Sequence, residues 1–297
     1  MANSIALAKQ YVPLLDEVYK MASLTSKLDG NPDLVQRGAN ANELIIPKMS
    51  MQGLGDYSRN GGYVNGDVTM TNETVSCNFD RGRMFSVDYM DDLETAGIAF
   101  GRLASEFIRT KVVPELDAFR FATYAGTSGI SKIAAGATLA DGAGVISALR
   151  AATNKMDEDE VPYEDRHLFI TPTLHGMVQD MDTTKSREVM SRFASVTLVP
   201  QTRFYTAITQ YDGSTSGETA GGYIKDATKG ADINFMVIHR AAVIQFEKHV
   251  APKIITPEIN QTADSYKFGY RNVGIADVYD NKVAGIYLHH KAVPTGG

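Results

Sequence analysis

From Glu43 to about Val87 the chain reads as extended structure around an unusual tip. LIIPKMSM precedes GLGDYSRNGGYVNGD, and VTMTNETVSCNF and GRMFSV follow it. Thr69, Thr71, Thr74 and Val75 favour extended backbone, while Gly53, Gly55, Gly61, Gly62 and Gly66 permit tight reversals. About ten residues per arm at about 3.4 Å each would project roughly 34 Å. A two-stranded ribbon of that length is marginal alone in water and calls for a partner surface. Two readings are open: an ordinary hairpin folded back on its own domain, or a projection completed by a neighbour. Either way the chain needs a body large enough to carry the ribbon.

The rest of the sequence provides one. Before the ribbon, Ile5, Leu7, Val12, Leu15, Val18, Tyr19 and Ala22 suggest a short helical arm that fades into the polar KLDGNPDLVQRGANAN, with little of its own to pack against. After it, Phe100, Leu103, Phe107, Leu116, Phe119 and Ala122 carry helical spacing from about Glu94 to Tyr124. Pro114 sits inside this helix and should bend or restart it. Val145, Ile146, Leu149, Ala152 and Met156 form the stripe of a further helix that runs out in MDEDEVPYED. Arg166 to Ile170 reads as a buried strand. Thr171 and Pro172 then read as the cap and first position of a helix. SVTLVP, NFMVIH and AVIQFE are strands around a glycine-, serine- and threonine-rich loop at Tyr211 to Tyr223, and VGIADVYDNKVAGIYLHH reads as two strands about a turn at Asp280-Asn281-Lys282.

Composition narrows the function. The net charge of −6 argues against gripping nucleic acid through its phosphates, although an acidic wall could enclose DNA without binding it tightly. Cys77 is the only cysteine, which excludes an internal disulfide and multi-cysteine metal sites. No apolar run is long enough to span a membrane, and MANSIALAKQ lacks the pattern of a signal peptide, so use in a cytoplasm is expected. No nucleophile elbow, phosphate loop, zinc-binding helix or complete calcium loop is present. Gly142-Ala143-Gly144 is a poor dinucleotide fingerprint. His289 and His290, adjacent on a strand, point to opposite faces and do not readily share a metal, and the contiguous acids Asp157, Glu158, Asp159 and Glu160 fan around the backbone. No catalytic residue, cofactor or metal is expected, and a structural protein is.

The order of parts resembles the Hong Kong 97-type major capsid protein of tailed phages. NELIIPKM with GLGDYSRNGGYVNGDV looks like its extension loop, and DRGRMFSVDYMDDLETAGIAFGRLASEFIRTKVVPELDAFRFATYAG like its spine helix. LFITPTLHGM, SVTLVPQTRFYT and FMVIHRAAVIQFEKH look like its axial domain, and ADSYKFGYRNVGIADVYDNKVAGIYLHHK like its closing peripheral strands. The resemblance implies an α+β fold divided into an N-terminal arm at 1–42, the extension loop at 43–90, spine helix and peripheral domain at 91–140, axial domain at 141–250 and closing strands at 251–297. It implies a homo-oligomer of pentamers and hexamers in an icosahedral virion shell around double-stranded DNA, with a portal protein.

Some relatives carry a cleaved N-terminal scaffolding region. Here the loop is reached by Glu43, so a separate scaffolding protein is expected. Lys48, Asn60 and Asn65 match no cross-linking pattern. Asp56, Arg59 and Asp67 near the tip are candidates for intersubunit ion pairs, and Gly101 and Pro114 for bending of the spine. An encapsulin-type compartment shell is the main alternative, and a phage tail protein a further one.

Overall fold

The structure, a computed structural model, describes residues 23–30, 36–37, 43–90 and 98–293. The expected arm residues from Ile5 to Ala22 and the expected helix start at Glu94 lie outside these. Among the described residues thirteen strands form four sheets. The ribbon is β1 (Gln36–Arg37), β2 (Glu43–Met51) and β3 (Val68–Ser76), with β2 and β3 antiparallel from Glu43 opposite Ser76 to Met51 opposite Val68. Cys77 and Asn78 separate it from β4 (Phe79–Asp88).

The helical spine follows. It comprises α1 (Ile98–Phe107), a π-helical turn at Ile108–Val112 and α2 (Val113–Gly126). In the wide turn the Val113 N–H reaches back to the Ile108 carbonyl. Pro114 explains it: the ring has no N–H to donate and would collide with the preceding turn of a regular helix, so one turn widens and α2 starts with proline in its first turn. Gly101 lies inside regular α1.

The compact body contains β5 (Ser131–Lys132), α3 (Gly142–Glu158), β6 (Arg166–Ile170), α4 (Pro172–Met181), α5 (Thr184–Met190), β7 (Ser195–Leu198) and the small hairpin β8 (Ile208–Gln210) with β9 (Tyr223–Lys225). Then come β10 (Ile233–His239), β11 (Val243–Ile255), β12 (Ser265–Val278) and β13 (Ile286–His290). Asp141 caps α3, accepting the Gly144 N–H at 2.7 Å. Thr171 stands at the N-cap of α4, but its side chain makes no capping bond there.

A mixed sheet in the order β5-β13-β10-β6-β7 forms the centre of the body. One face packs Leu168, Ile170, Phe235 and Val237 against Val145, Leu149 and Met156 of α3 and Leu174 and Val178 of α4. The other packs Phe169, Met236, Ile238, Ile286 and Leu288 against Phe121, Tyr124 and Ala125 of α2. Phe121 meets Phe169 and Phe204 edge to face at 5.2 and 4.8 Å. Such pairs contribute about 0.5–1.5 kcal/mol each beyond burial.

A second sheet, β11-β12-β4, is long and antiparallel. Phe79, Phe268 and Tyr270 on its inner face cover Ala104, Ile108, Val112, Val113 and Leu116 of the spine.

The expected hairpin around Asp280 is not formed. β12 stays in the long sheet, whereas β13 crosses to the centre of the body between β5 and β10. Every residue of β13 is buried, so the strand needs cover on both faces, which the central sheet offers. The polar stretch after the arm also departs from expectation. Leu28 is fully buried in the core, and the segment around it is clamped to α2.

Asp117 is the clamp. Its carboxylate, with no exposed surface, accepts Ser23 Oγ at 3.0 Å, Thr25 Oγ1 at 2.8 Å, the Leu24 N–H at 3.1 Å, the Thr25 N–H at 3.3 Å and Arg203 Nη1 at 3.3 Å. Buried Arg120 donates to Thr25 Oγ1 at 2.8 Å and to Glu247 at 3.0 Å. Gln245 closes the ring, donating to the Thr25 carbonyl and accepting from Tyr124 Oη, both at 2.8 Å. Removing one member strands the others in a water-poor site. Asp117→Ala should therefore lower unfolding free energy by about 3–5 kcal/mol in guanidinium titrations. The exposed-pair variant Arg109→Ala, whose partner Glu106 is also in solvent, should leave the guanidinium midpoint nearly unchanged. Equal losses would show that the clamp is not a buried network.

Candidate assembly surfaces

The ribbon leaves its apolar side chains uncovered. Met49, Met51, Tyr57, Val64, Val68 and Met70 are exposed, Tyr63 is 88% exposed and Leu54 fully so. Met49 and Met70 sit opposite each other across the strands, as do Met51 and Val68 two residues on, so these four apolar side chains share one face of the ribbon. The tip nonetheless has a defined shape. Ser58 and Gly62 exchange backbone hydrogen bonds of 3.2 and 2.8 Å, and Gly62 takes φ 77°, where a side chain would be strained. The Tyr57 and Tyr63 rings stand edge to face at 5.0 Å. An exposed apolar surface this continuous, on a preformed tip, is the mark of an interaction site.

Asp56, Arg59 and Asp67 are all exposed around this tip. Asp67 is bound only through its backbone: its N–H donates to Gln52 Oε1 at 3.3 Å, and its carbonyl accepts the Gln52 N–H at 3.3 Å. None of the three charged side chains is in an ion pair among the described residues. Gly101 and Pro114 lie away from the tip, on the spine.

At the root of the ribbon is a groove of about 1160 Å³. β4 supplies Phe79 and Phe85, the spine supplies Leu103 and Phe107, and Tyr205 and Tyr223 close the far side. The loop between β8 and β9 straps across it, held by two arginines of β4. Arg81 donates to the Tyr211 and Gly222 carbonyls at 2.7 and 3.3 Å while pairing with Glu115 at 2.7 Å. Arg83 donates to the Thr219 and Ala220 carbonyls at 3.0 and 3.2 Å. Gly221 takes φ 66°, where a side chain would be strained, and a Cβ there would meet Arg83 Nη1 at 2.7 Å and push that guanidinium aside. Asp212 folds the strap internally by accepting the Thr215 hydroxyl and then the Thr215 and Ser214 N–H groups at 2.8 and 2.7 Å, and these bonds hold its carboxyl well below the usual range. Sequence reasoning missed Arg81 and Arg83. Their only signal was a pair of arginines one residue apart on a strand, placing both on one face.

The groups weighed for chemistry are otherwise engaged. Asp157 binds Arg166 at 2.8 Å and also Arg192. Burial pushes its carboxyl up, but the arginine hydrogen bonds outweigh that and leave it below the usual range. Asp159 pairs with Lys155 at 2.7 Å. Among the described residues no group of three or more His, Cys, Asp or Glu is placed to hold a metal, and no helix is long and apolar enough to cross a membrane.

Phage capsid structures share this fold. The capsid of the cyanophage P-SCSP1u superposes with a TM-score of 0.56 at 13% identity over 87% of this chain and 86% of that one. The capsid of the Myoviridae phage XM1 gives 0.55 at 14% over 90% of each. The fold is that of a tailed-phage capsid protein. A virus-like particle from Pyrococcus furiosus has the same capsid fold, with a TM-score of 0.53 at 10% identity over 92% of this chain and 98% of that one. No family model and no curated protein sequence matches. The mixed α+β capsid fold, with a projecting ribbon, a helical spine and a central sheet, is consistent with the Hong Kong 97-type class expected from the sequence.

The histidines bear on stability within this capsid fold. His289 is buried, stacks on Phe235 at 4.9 Å and lies 3.0 Å from Asn234 Nδ2, and burial lowers its pKa to about 4. A lowered folded value means that the unfolded chain takes up the proton first. Stability is therefore complete above about pH 6.5 and falls as the pH drops toward about 4. His289 should account for a loss of about 1–2 kcal/mol between pH 7 and 4.5, after allowing for screening. Guanidinium midpoints at the two pH values measure it. An unchanged pH dependence in His289→Gln would remove this residue as the cause.

Proposed function

We propose that this chain is the major capsid protein of a tailed phage, a structural subunit that closes into pentamers and hexamers of an icosahedral shell around double-stranded DNA. The observation that carries the reading is the ribbon with its uncovered apolar side chains. A surface donated by one copy and accepted at a different surface of the next is a heterologous contact, which builds rings and closed shells when the rotation closes. Each subunit is then held by several neighbours, and modest contacts combine into a tight assembly. The ribbon lies over a neighbour's spine region, and Asp56, Arg59 and Asp67 supply ion pairs between subunits. A separate scaffolding protein directs assembly in the host cytoplasm, a portal protein occupies one vertex, and the acidic wall encloses DNA without reading its sequence. The wide turn before Pro114 is the place where the spine changes curvature as the shell expands.

Likeness over 98% of the Pyrococcus furiosus particle chain favours a second reading, a compartment shell of the encapsulin type that holds cargo protein. Expression with and without the neighbouring genes, followed by negative-stain electron microscopy, separates these. Closed shells with a scaffolding protein and DNA are expected. Shells that copurify with a cargo enzyme would favour the compartment, and small uniform particles even with scaffold present would overturn both. Leu54→Asp with Tyr63→Asp should abolish shells while leaving subunit stability within about 0.5 kcal/mol, because both sites are exposed. Normal shells from that variant would show that the ribbon tip is not donated. Unchanged shell yield and stability in Asp56→Lys with Arg59→Glu would remove the ion pairs.

A further inference from the structure

The ribbon leaves the body at a point where one side chain takes over from the backbone. The β4 ladder to β12 ends with Phe79 opposite Gly274. Another step would require the backbone to continue alongside Ala276, but at Cys77 and Asn78 it departs from strand geometry and passes into β3. The Asn78 carboxamide fills the vacated place. Its Nδ2 donates to the Ala276 carbonyl at 2.7 Å, and its Oδ1 accepts the Ala276 N–H at 3.1 Å. A carboxamide carries the same donor and acceptor as a peptide group, so it completes the edge of β12 while the main chain turns away. Two further contacts lie nearby: Val75, near the end of β3, is buried against Ile244 and Ile275, and half-buried Cys77 packs against the same cluster. Asn78 itself is exposed, so its side chain fills no core space.

We propose that Asn78 is a positioning residue that sets the direction of the ribbon: its two bonds to Ala276 fix the pivot at Cys77–Asn78, and Val75 is the bearing beside it. The proposal rests on the ribbon being the donated assembly surface for its consequence, but not for its test. With the pivot pinned, the tip is presented along one direction before any neighbour arrives, which reduces the ordering cost of association. Without it, the ribbon stays paired and the body stays folded, but the tip samples a wide arc.

The test measures ribbon direction directly. In the full chain with Cys77→Ser, spin labels are placed at Asn60→Cys on the tip and Asn281→Cys beside the root, and the labelled chain is diluted with unlabelled chain. Double electron–electron resonance should give one narrow distance peak. Asn78→Ala should broaden that peak and move its maximum while far-ultraviolet circular dichroism is unchanged; an unchanged peak in a folded variant overturns the proposal. If Asn78→Ala does not fold, Asn78→Asp decides. Its carboxylate keeps the acceptor and loses the donor, so the peak should broaden at pH 7 and sharpen again as the pH falls through about 4, where the carboxyl regains a proton to donate. A narrow peak at pH 7 in that variant overturns the proposal. A residue serving only general stability would not give this reversal, and the Asn78 chain at the same pH is the control. Failure of the chain with Asn78 intact to form shells, together with a responsive peak in the variants, would count against the capsid reading and leave the pivot standing.

Discussion

The helix from Ile98 to Gly126 has to satisfy two sheets at once. Its first part and the wide turn supply Ala104, Ile108 and Val112 to the long sheet, while its last part supplies Phe121, Tyr124 and Ala125 to the central one. Phe119 lies against both clusters. A single unbroken apolar stripe would drift around the helix over this length and could not aim at both sheets. Val113 and Leu116 still face the long sheet after the π-helical turn at Ile108–Val112, and the change to the central sheet comes at Phe119, one turn beyond Pro114. The relative placement of sheet, body and ribbon root follows from that one joint.

The clamp and the strap make the joint rigid from two sides. On one side Asp117 and Arg120 tie Ser23 and Thr25 to α2 and to β11. On the other, Arg81 ties β4 to Glu115 of the spine and to the strap. Both use charged groups whose hydrogen-bonding capacity is taken up by backbone and hydroxyl groups, an arrangement that locks geometry more than it adds net stability. Among the described residues the ribbon has no such support beyond its root. A subunit with a stiff body and one surface left for others to cover is suited to being a repeated part, since the errors that matter in a repeated part are errors of angle.

Much of this was legible before any coordinates. Alternating threonines and a glycine-rich tip announced the ribbon, three- and four-residue spacing announced the spine and α3, and Pro114 announced an irregularity within a few residues of where it occurs. What escaped shares one physical cause: information that lies in a single long-range contact leaves no periodic trace. Leu28 is one apolar residue in a polar run, yet it reaches the core because Asp117, nearly ninety positions later, captures the residues before it. The strands at Ile208–Gln210 and Tyr223–Lys225 are too short to show alternation. Asn78 is one amide whose meaning depends on Ala276. The separation of β12 from β13 was misread because adjacency in sequence suggests a hairpin, whereas burial on both faces decided where β13 belongs. Asp56, Arg59 and Asp67 are exposed at the tip that the sequence outlined, whereas the arginine pair that shapes the groove left no comparable trace.

The placement of β13 has a consequence for how the chain comes into being. It is the last strand in sequence, yet it lies inside the central sheet between β5 and β10. Until it arrives, β10 has an open edge and the apolar side chains that Ile286 and Leu288 cover are left wet. A nascent chain still on the ribosome therefore displays the ribbon while lacking the finished body that gives it an orientation. Synthesis order itself acts as a checkpoint: only a chain translated through His290 can seal its own centre.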